Sequence, residues 1–171
     1  MENIKDFIVD EKEKNNQDLF CPICKNFLDP NKTHQTECLH MFCKECVEKL
    51  CNHEIYESSN KCPICRTYIS SNRIVSLKKV NLFAYNYLSN IKIRCRNEEC
   101  GEVFAYSQRD KHYSKCLYEK VECSLCNNKE FIRKDFHKHL LEDKDTHIIQ
   151  LVEKVMHLEK KIDKMRKRSN I

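Results

Sequence analysis

Thirteen cysteines and eight histidines stand in this chain of 171 residues, and most fall into two clusters spaced as metal ligands are. The first comprises Cys21, Cys24, Cys38, His40, Cys43, Cys46, Cys62 and Cys65. Cys21/Cys24, Cys43/Cys46 and Cys62/Cys65 are Cys-x2-Cys pairs, in which a tight turn aims both sulfurs at one ion. Cys38 and His40 flank a single residue, which suits an extended strand. Eight such ligands fill two tetrahedral zinc sites and leave no coordination position open. Zinc held this way is structural, so any function of the stretch belongs to its surface.

In the second cluster, Cys95-x4-Cys100 is followed after eleven residues by His112-x3-Cys116. His112 and Cys116 are four apart and share one helix face, so they can close a third tetrahedral site. Cys123-x2-Cys126 opens a fourth, which needs two more ligands from His137, His139 and His147. A disulfide framework explains these cysteines less well. Their number is odd, the N-terminus shows no apolar signal region, and no apolar run is long enough to span a bilayer. The expected compartment is the reducing cytoplasm, with the nucleus as the alternative, and no membrane partner is expected.

Two other chemistries fit the sequence less well. Cys51 lies outside the metal pattern and could be a thioester nucleophile, with His53 as slender support; a small apolar residue on the helix after Cys46 is the better reading. Nucleic-acid binding is disfavoured. The net charge is only +5, and Lys92, Arg94, Arg96, Arg109 and Lys111 are interrupted by Glu98, Glu99, Glu102 and Asp110. No long helix carries a set of base-reading side chains.

The elements that position these residues must be small. A third of the chain is charged, with one glycine and no tryptophan, so small modules held by metal staples are expected in place of a single large core. Residues 1–19 read as a polar lead-in and residues 20–66 hold the first ligand cluster. In residues 67–94 the apolar positions Ile74, Leu77, Val80, Leu82, Tyr85 and Leu88 predict a connecting helix. Residues 95–147 hold the second cluster. Residues 148–171 carry Ile148, Leu151, Val155, Leu158, Ile162 and Met165 at alternating spacings of three and four, a heptad seam with branched residues at a and Leu or Met at d. That seam predicts parallel self-association, although so short a helix is marginal alone.

The order of ligands from Phe20 to Arg66 resembles the RING finger family, in which the two sites interleave as a cross-brace. The resemblance implies that Cys21, Cys24, Cys43 and Cys46 bind one zinc and Cys38, His40, Cys62 and Cys65 the other. It departs at Leu39, where the family often has glycine. It further implies a surface for a ubiquitin-conjugating enzyme at Ile23, Leu50, Pro63 and Ile64, with Leu50 where the family often has tryptophan. Arg66, directly after the last ligand, matches the basic linchpin that bridges the conjugating enzyme and its thioester-linked ubiquitin in active members.

The stretch from Asn72 to Ile149 is similar to the zinc fingers of the TRAF family, the tumour-necrosis-factor-receptor-associated factors. Asn72-Arg73, Ile91-Lys92-Ile93-Arg94-Cys95, Arg133-Lys134-Asp135 and His139-Leu140 carry the likeness. It implies Cys95, Cys100, His112 and Cys116 as one ligand set and Cys123, Cys126, His139 and His147 as the next. There His147 stands where the family often has cysteine, and His137 is a substitute for either histidine. The family follows its coiled coil with a receptor-binding β-sandwich, which this sequence is read as lacking.

The expected fold class is therefore small zinc-stabilised α+β modules, a cross-brace RING plus two TRAF-type zinc fingers, followed by a C-terminal coiled-coil helix. Four Zn2+ ions are the expected cofactors. The resemblance implies a RING-type ubiquitin ligase that takes a ubiquitin-conjugating enzyme, ubiquitin and a protein substrate as partners and forms a homo-oligomer through its tail. The alternative is a non-catalytic zinc-dependent adaptor.

Overall fold

The computed structural model describes residues 4–51, 60–126 and 129–169. The chain divides into two compact units, Met1–His112 and Tyr113–Ile171.

The first unit opens with a 3-10 turn, Ile4–Phe7, and helix α1, Glu11–Asn15, capped by the Asp10 carboxylate accepting from the Lys12 backbone at 2.7 Å. This lead-in is more firmly held than its polarity suggests. Ile8 is buried, it bridges Ile93, and the Val9 amide donates to the Lys92 carbonyl at 3.0 Å.

Strands β1 (Thr33–Gln35) and β2 (Met41–Cys43) form an antiparallel hairpin with Thr33 opposite Cys43 and Gln35 opposite Met41. The connecting turn carries Cys38 and His40. It is closed by the Leu39 amide on the Thr36 carbonyl at 2.9 Å and by the Gln35 side-chain amide on the Leu39 carbonyl at 2.8 Å. Helix α2 (Lys44–Cys51) follows directly and buries Val47, while β2 buries Phe42.

The apolar run after the first cluster does not make one helix. Val75–Ser76 is strand β3, paired antiparallel to β1, so the sheet order is β2-β1-β3. Helix α3 (Leu77–Val80) and helix α4 (Leu82–Asn90) are separated at Asn81. The Asn81 side chain accepts from the Ala84 amide at 3.0 Å and starts α4 afresh. Leu77 and Leu88 are fully buried.

Strands β4 (Lys92–Arg94) and β5 (Val103–Ala105) form the next hairpin, and helix α5 (Arg109–Tyr113) follows it. Tyr106 ties this finger to the first metal-binding loop. Its hydroxyl donates to Asp29 at 3.1 Å, its ring lies 4.8 Å from that of Phe27, and Arg109 donates to its oxygen at 2.7 Å. Burial pushes the Tyr106 phenol above its ordinary range, and the nearby Asp29 carboxylate adds to the effect.

The second unit repeats the hairpin-helix plan with strand β6 (Lys120–Cys123), strand β7 (Lys129–Ile132) and helix α6 (Arg133–Glu142). The Arg133 guanidinium clamps the preceding segment through the carbonyls of Tyr113 at 3.0 Å and Cys116 at 2.7 Å. Helix α7 (Lys144–Ser169) runs on for 26 residues. No helix among the described residues is long and apolar enough to cross a membrane.

Candidate functional site

The structure gathers the predicted ligands into four groups: Cys21, Cys24, Cys43 and Cys46; Cys38, His40, Cys62 and Cys65; Cys95, Cys100, His112 and Cys116; Cys123, Cys126, His139 and His147. Within each group the ligand atoms all lie within 4.8 Å of one another. The first two groups interleave along the sequence.

Local backbone geometry explains how the sulfurs converge. In the first loop the Lys25 amide donates to the Cys21 carbonyl at 2.8 Å and the Cys21 amide to the Asn26 carbonyl at 2.8 Å. In the last loop Arg66 and Cys62 repeat this, with the Cys62 amide on the Thr67 carbonyl, again at 2.8 Å. Lys25, Leu39 and Arg66 take left-handed backbone, with φ of 60°, 65° and 62°. Leu39 thus occupies the glycine-like conformation without the glycine. Gly101, at φ 64°, fills the same role after Cys100.

The donor sets fit zinc. Four ligands at about 2.3 Å from one ion put tetrahedral sulfurs about 3.8 Å apart, and Cys24 and Cys43 sit at 3.8 Å. His40 Nδ1 lies 3.4 Å from both Cys38 and Cys62 Sγ. His112 Nε2 is 3.7 Å from Cys100 Sγ, and His139 Nε2 is 3.5 Å from Cys126 Sγ. Without an ion, such crowded thiols compete for protons. The hydrogen bond from Cys43 holds the Cys21 thiol down at about 4, and the same contact drives Cys43 far up. A divalent cation removes that conflict by taking all the thiolates at once.

Support behind the ligands is visible too. Glu102 accepts from His112 Nδ1 at 2.8 Å and Asp143 from His139 Nδ1 at 2.9 Å, which fixes each ring with Nε2 toward the metal. Phe104 stacks on His112 at 4.2 Å between centroids, and Phe131 on His139 at 3.9 Å. These four supporting residues escaped the sequence reading. One signal was present: each stacking Phe precedes its ligand His by eight residues. His137, the substitute considered for the fourth group, is exposed and outside it.

The surface residues divide. Ile23 and Ile64 are 40% and 51% exposed, and Pro63 and Arg66 are exposed as well. Leu50 is half-buried on α2. A shallow groove of about 400 Å³ is lined by Ile64 with Phe20, Pro22, Leu39 and Met41; Ile23, Leu50 and Pro63 are not part of its lining. Cys51 is half-buried and burial raises its thiol pKa, the opposite of an activated nucleophile. His53 falls outside the described residues.

Fold and ligand groups together define a zinc-binding protein with a RING finger followed by TRAF-type zinc fingers and a long C-terminal helix. The family model described as Ring finger domain matches residues 19–66. Across more of the chain the sequence is similar to TNF receptor-associated factor 6-B of Xenopus laevis, 28% identical over 70% of this chain and 20% of that protein. It is similar also to TNF receptor-associated factor 6 of Danio rerio, 27% identical over 77% of this chain and 22% of the relative. A TNF receptor-associated factor family protein of Dictyostelium discoideum is 32% identical over 63% of this chain and 22% of its own length. The chain spans about a fifth of the length of these curated relatives.

Proposed function

We propose that the chain is a RING-type ubiquitin ligase, which recruits a ubiquitin-conjugating enzyme and promotes transfer of ubiquitin to a substrate lysine with no covalent intermediate of its own. The observation that carries this reading is the exposure of Ile23, Pro63, Ile64 and Arg66 on the first and last metal loops of the RING. Closed zinc sites offer no open coordination position for chemistry, so the loops they hold are the working surface. Ile23 and Ile64 then present apolar contact to the conjugating enzyme, and Pro63 stiffens the second loop.

Arg66 is the proposed linchpin. A guanidinium offers five donors in a fixed fork and can bond carbonyls on two partners at once. Its role is positional: it holds ubiquitin folded back on the conjugating enzyme so that a lysine reaches the thioester. Its left-handed backbone supports the reading, since an arginine held where glycine is easier points to a retained side chain. Lys25 has the same backbone without a proposed role, so this support is secondary to the exposure.

Self-association through α7 belongs to the same proposal. Ile148, Leu151, Val155, Leu158 and Ile162 are all exposed along one helix, and strict heptad spacing calls for a helical partner. A second copy fits. In parallel register Lys154 at a g position meets Glu159 at e of the neighbour.

The test is self-ubiquitination with a panel of conjugating enzymes, using zinc-loaded protein. The reading predicts ubiquitin chains with at least one enzyme. Arg66→Ala should lower discharge roughly ten- to a hundredfold, the worth of hydrogen bonds to a charged group, with zinc content unchanged. Inactivity across the panel would favour the adaptor reading, to which the half-buried Leu50 lends some weight.

A further inference from the structure

We infer that the fourth metal group is the anchor of the self-associating helix, so that zinc at this group, and not only the heptad seam, sets the oligomeric state. This rests on the proposed self-association and adds a control to it.

The geometry lies within the second unit. His147 is in the first turn of α7, directly before Ile148, the first a position of the seam. It is buried, with Nε2 2.8 Å from Cys126 Sγ and 3.7 Å from Cys123 Sγ. His139, the other histidine of the group, belongs to α6, and the backbone passes from α6 to α7 at Asp143. One ion would therefore bind the β6 loop, α6 and the first turn of α7 together. Further along α7, Lys154 donates to the Ser124 carbonyl of the metal loop at 3.0 Å. Ser124 and Leu125 line a groove with Gln150, Glu153, Lys154, His157 and Leu158. Apart from Leu158 at d, these helix residues are c, f and g positions, so the loop braces mainly the back of α7. Leu158 at its rim stays 55% exposed, and Ile148, Leu151, Val155 and Ile162 are outside the groove and exposed.

Helix formation is limited by its first turn, which is costly to nucleate, and in proteins most helical stability comes from packing. Ligation of His147 fixes that turn at the head of the seam. The seam is also strongest there. Ile149, Val152 and Met156 widen its exposed apolar face in the N-terminal half, and the Lys154–Glu159 pair lies in the same region. Towards the C-terminus, Lys161 at g would meet Arg166 at e of the neighbour, like charge against like. Association thus depends on the end that the metal holds.

The fourth group is also the one most ready to release zinc. It has two thiolates where the others have three or four. His112 and His139 each have a carboxylate on the second ring nitrogen, whereas His147 Nδ1 is buried without a hydrogen-bond partner. Such supporting partners are typically worth ten- to a hundredfold in metal affinity. Graded zinc depletion should empty this group first.

The experiment measures zinc per chain, molar mass in solution and far-ultraviolet helicity on the full chain. Four forms are compared: wild type, His147→Ala, His147→Cys and the seam variant Leu151→Asp/Val155→Asp. The inference predicts that His147→Ala loses one zinc, loses helicity and falls to the mass of one protomer. His147→Cys, which restores a ligand, should keep four zinc ions and the oligomer; a monomeric His147→Cys with four ions bound would count against the inference. The seam variant should be monomeric with four ions. His147→Ala that lacks one zinc and stays oligomeric would overturn the inference and leave self-association standing. A monomeric wild type with four ions would overturn self-association itself, and the inference with it.

Discussion

At the residue scale, small groups behind the ligands decide how well each site is built. Glu102 and Asp143 orient His112 and His139, and Phe104 and Phe131 fix the planes of those rings. Glu102→Gln keeps the shape and removes the charge. It should weaken zinc at the third group by about tenfold or more, read by competition with a chelator of known affinity, while the RING groups hold their ions. Leu39 is the other telling residue. Its left-handed backbone costs about 1–2 kcal/mol, and glycine would relieve that at an entropic cost of about 0.4–1 kcal/mol in the unfolded chain. Leu39→Gly should therefore raise the melting temperature slightly with zinc content unchanged. Because Leu39 also lines the groove beside Ile64, the same variant should weaken binding of a conjugating enzyme if that groove is used. The Cys-x2-Cys pairs stand out in the sequence because two residues between thiolates let one turn aim both sulfurs at one ion, whereas the choice of His139 and His147 over His137 comes from the TRAF resemblance. The supporting carboxylates are not legible there, because a lone Glu or Asp in a charged chain carries no signature until the fold brings it to a ring nitrogen.

At the scale of elements, the sequence told hairpins and helices apart less surely than it marked ligands. The run from Ile74 to Leu88 looked like one helix. The step from Val80 to Leu82 is two residues rather than three or four, and Asn81 there is both the break and the new cap. Val75–Ser76 was claimed instead by the edge of β1, a tertiary pairing that no local periodicity encodes. Asn81→Ala should cost about 1 kcal/mol through loss of the cap, seen as faster hydrogen exchange in α4 with the ligand groups intact. The tail was the most legible element, because its alternating three- and four-residue spacing persists to Met165. What the pattern left open was whether the seam faces outward. The bracing of Lys154 on the metal loop, with the a and d positions exposed, accounts for that.

At the scale of the molecule, ions replace an oily interior. Among the described residues the fully buried large side chains are few, Leu28, Phe42, Ile69, Leu77, Leu88, Ile91 and Ile93 among them, and the sheets have two or three short strands. A core of that size does not hold a chain so rich in charge. Structural zinc contributes on the order of 10 kcal/mol or more per site in small fingers, so metal binding and folding become one event. Composition made this legible from the start: one glycine, no tryptophan and thirteen cysteines leave little else to organise the chain. The direct test is to count zinc in purified protein and then follow tertiary structure during chelation. Four ions per chain, with fold lost as they are withdrawn, is the predicted result. Far fewer than four ions, or a structure that survives complete chelation unchanged, would contradict it.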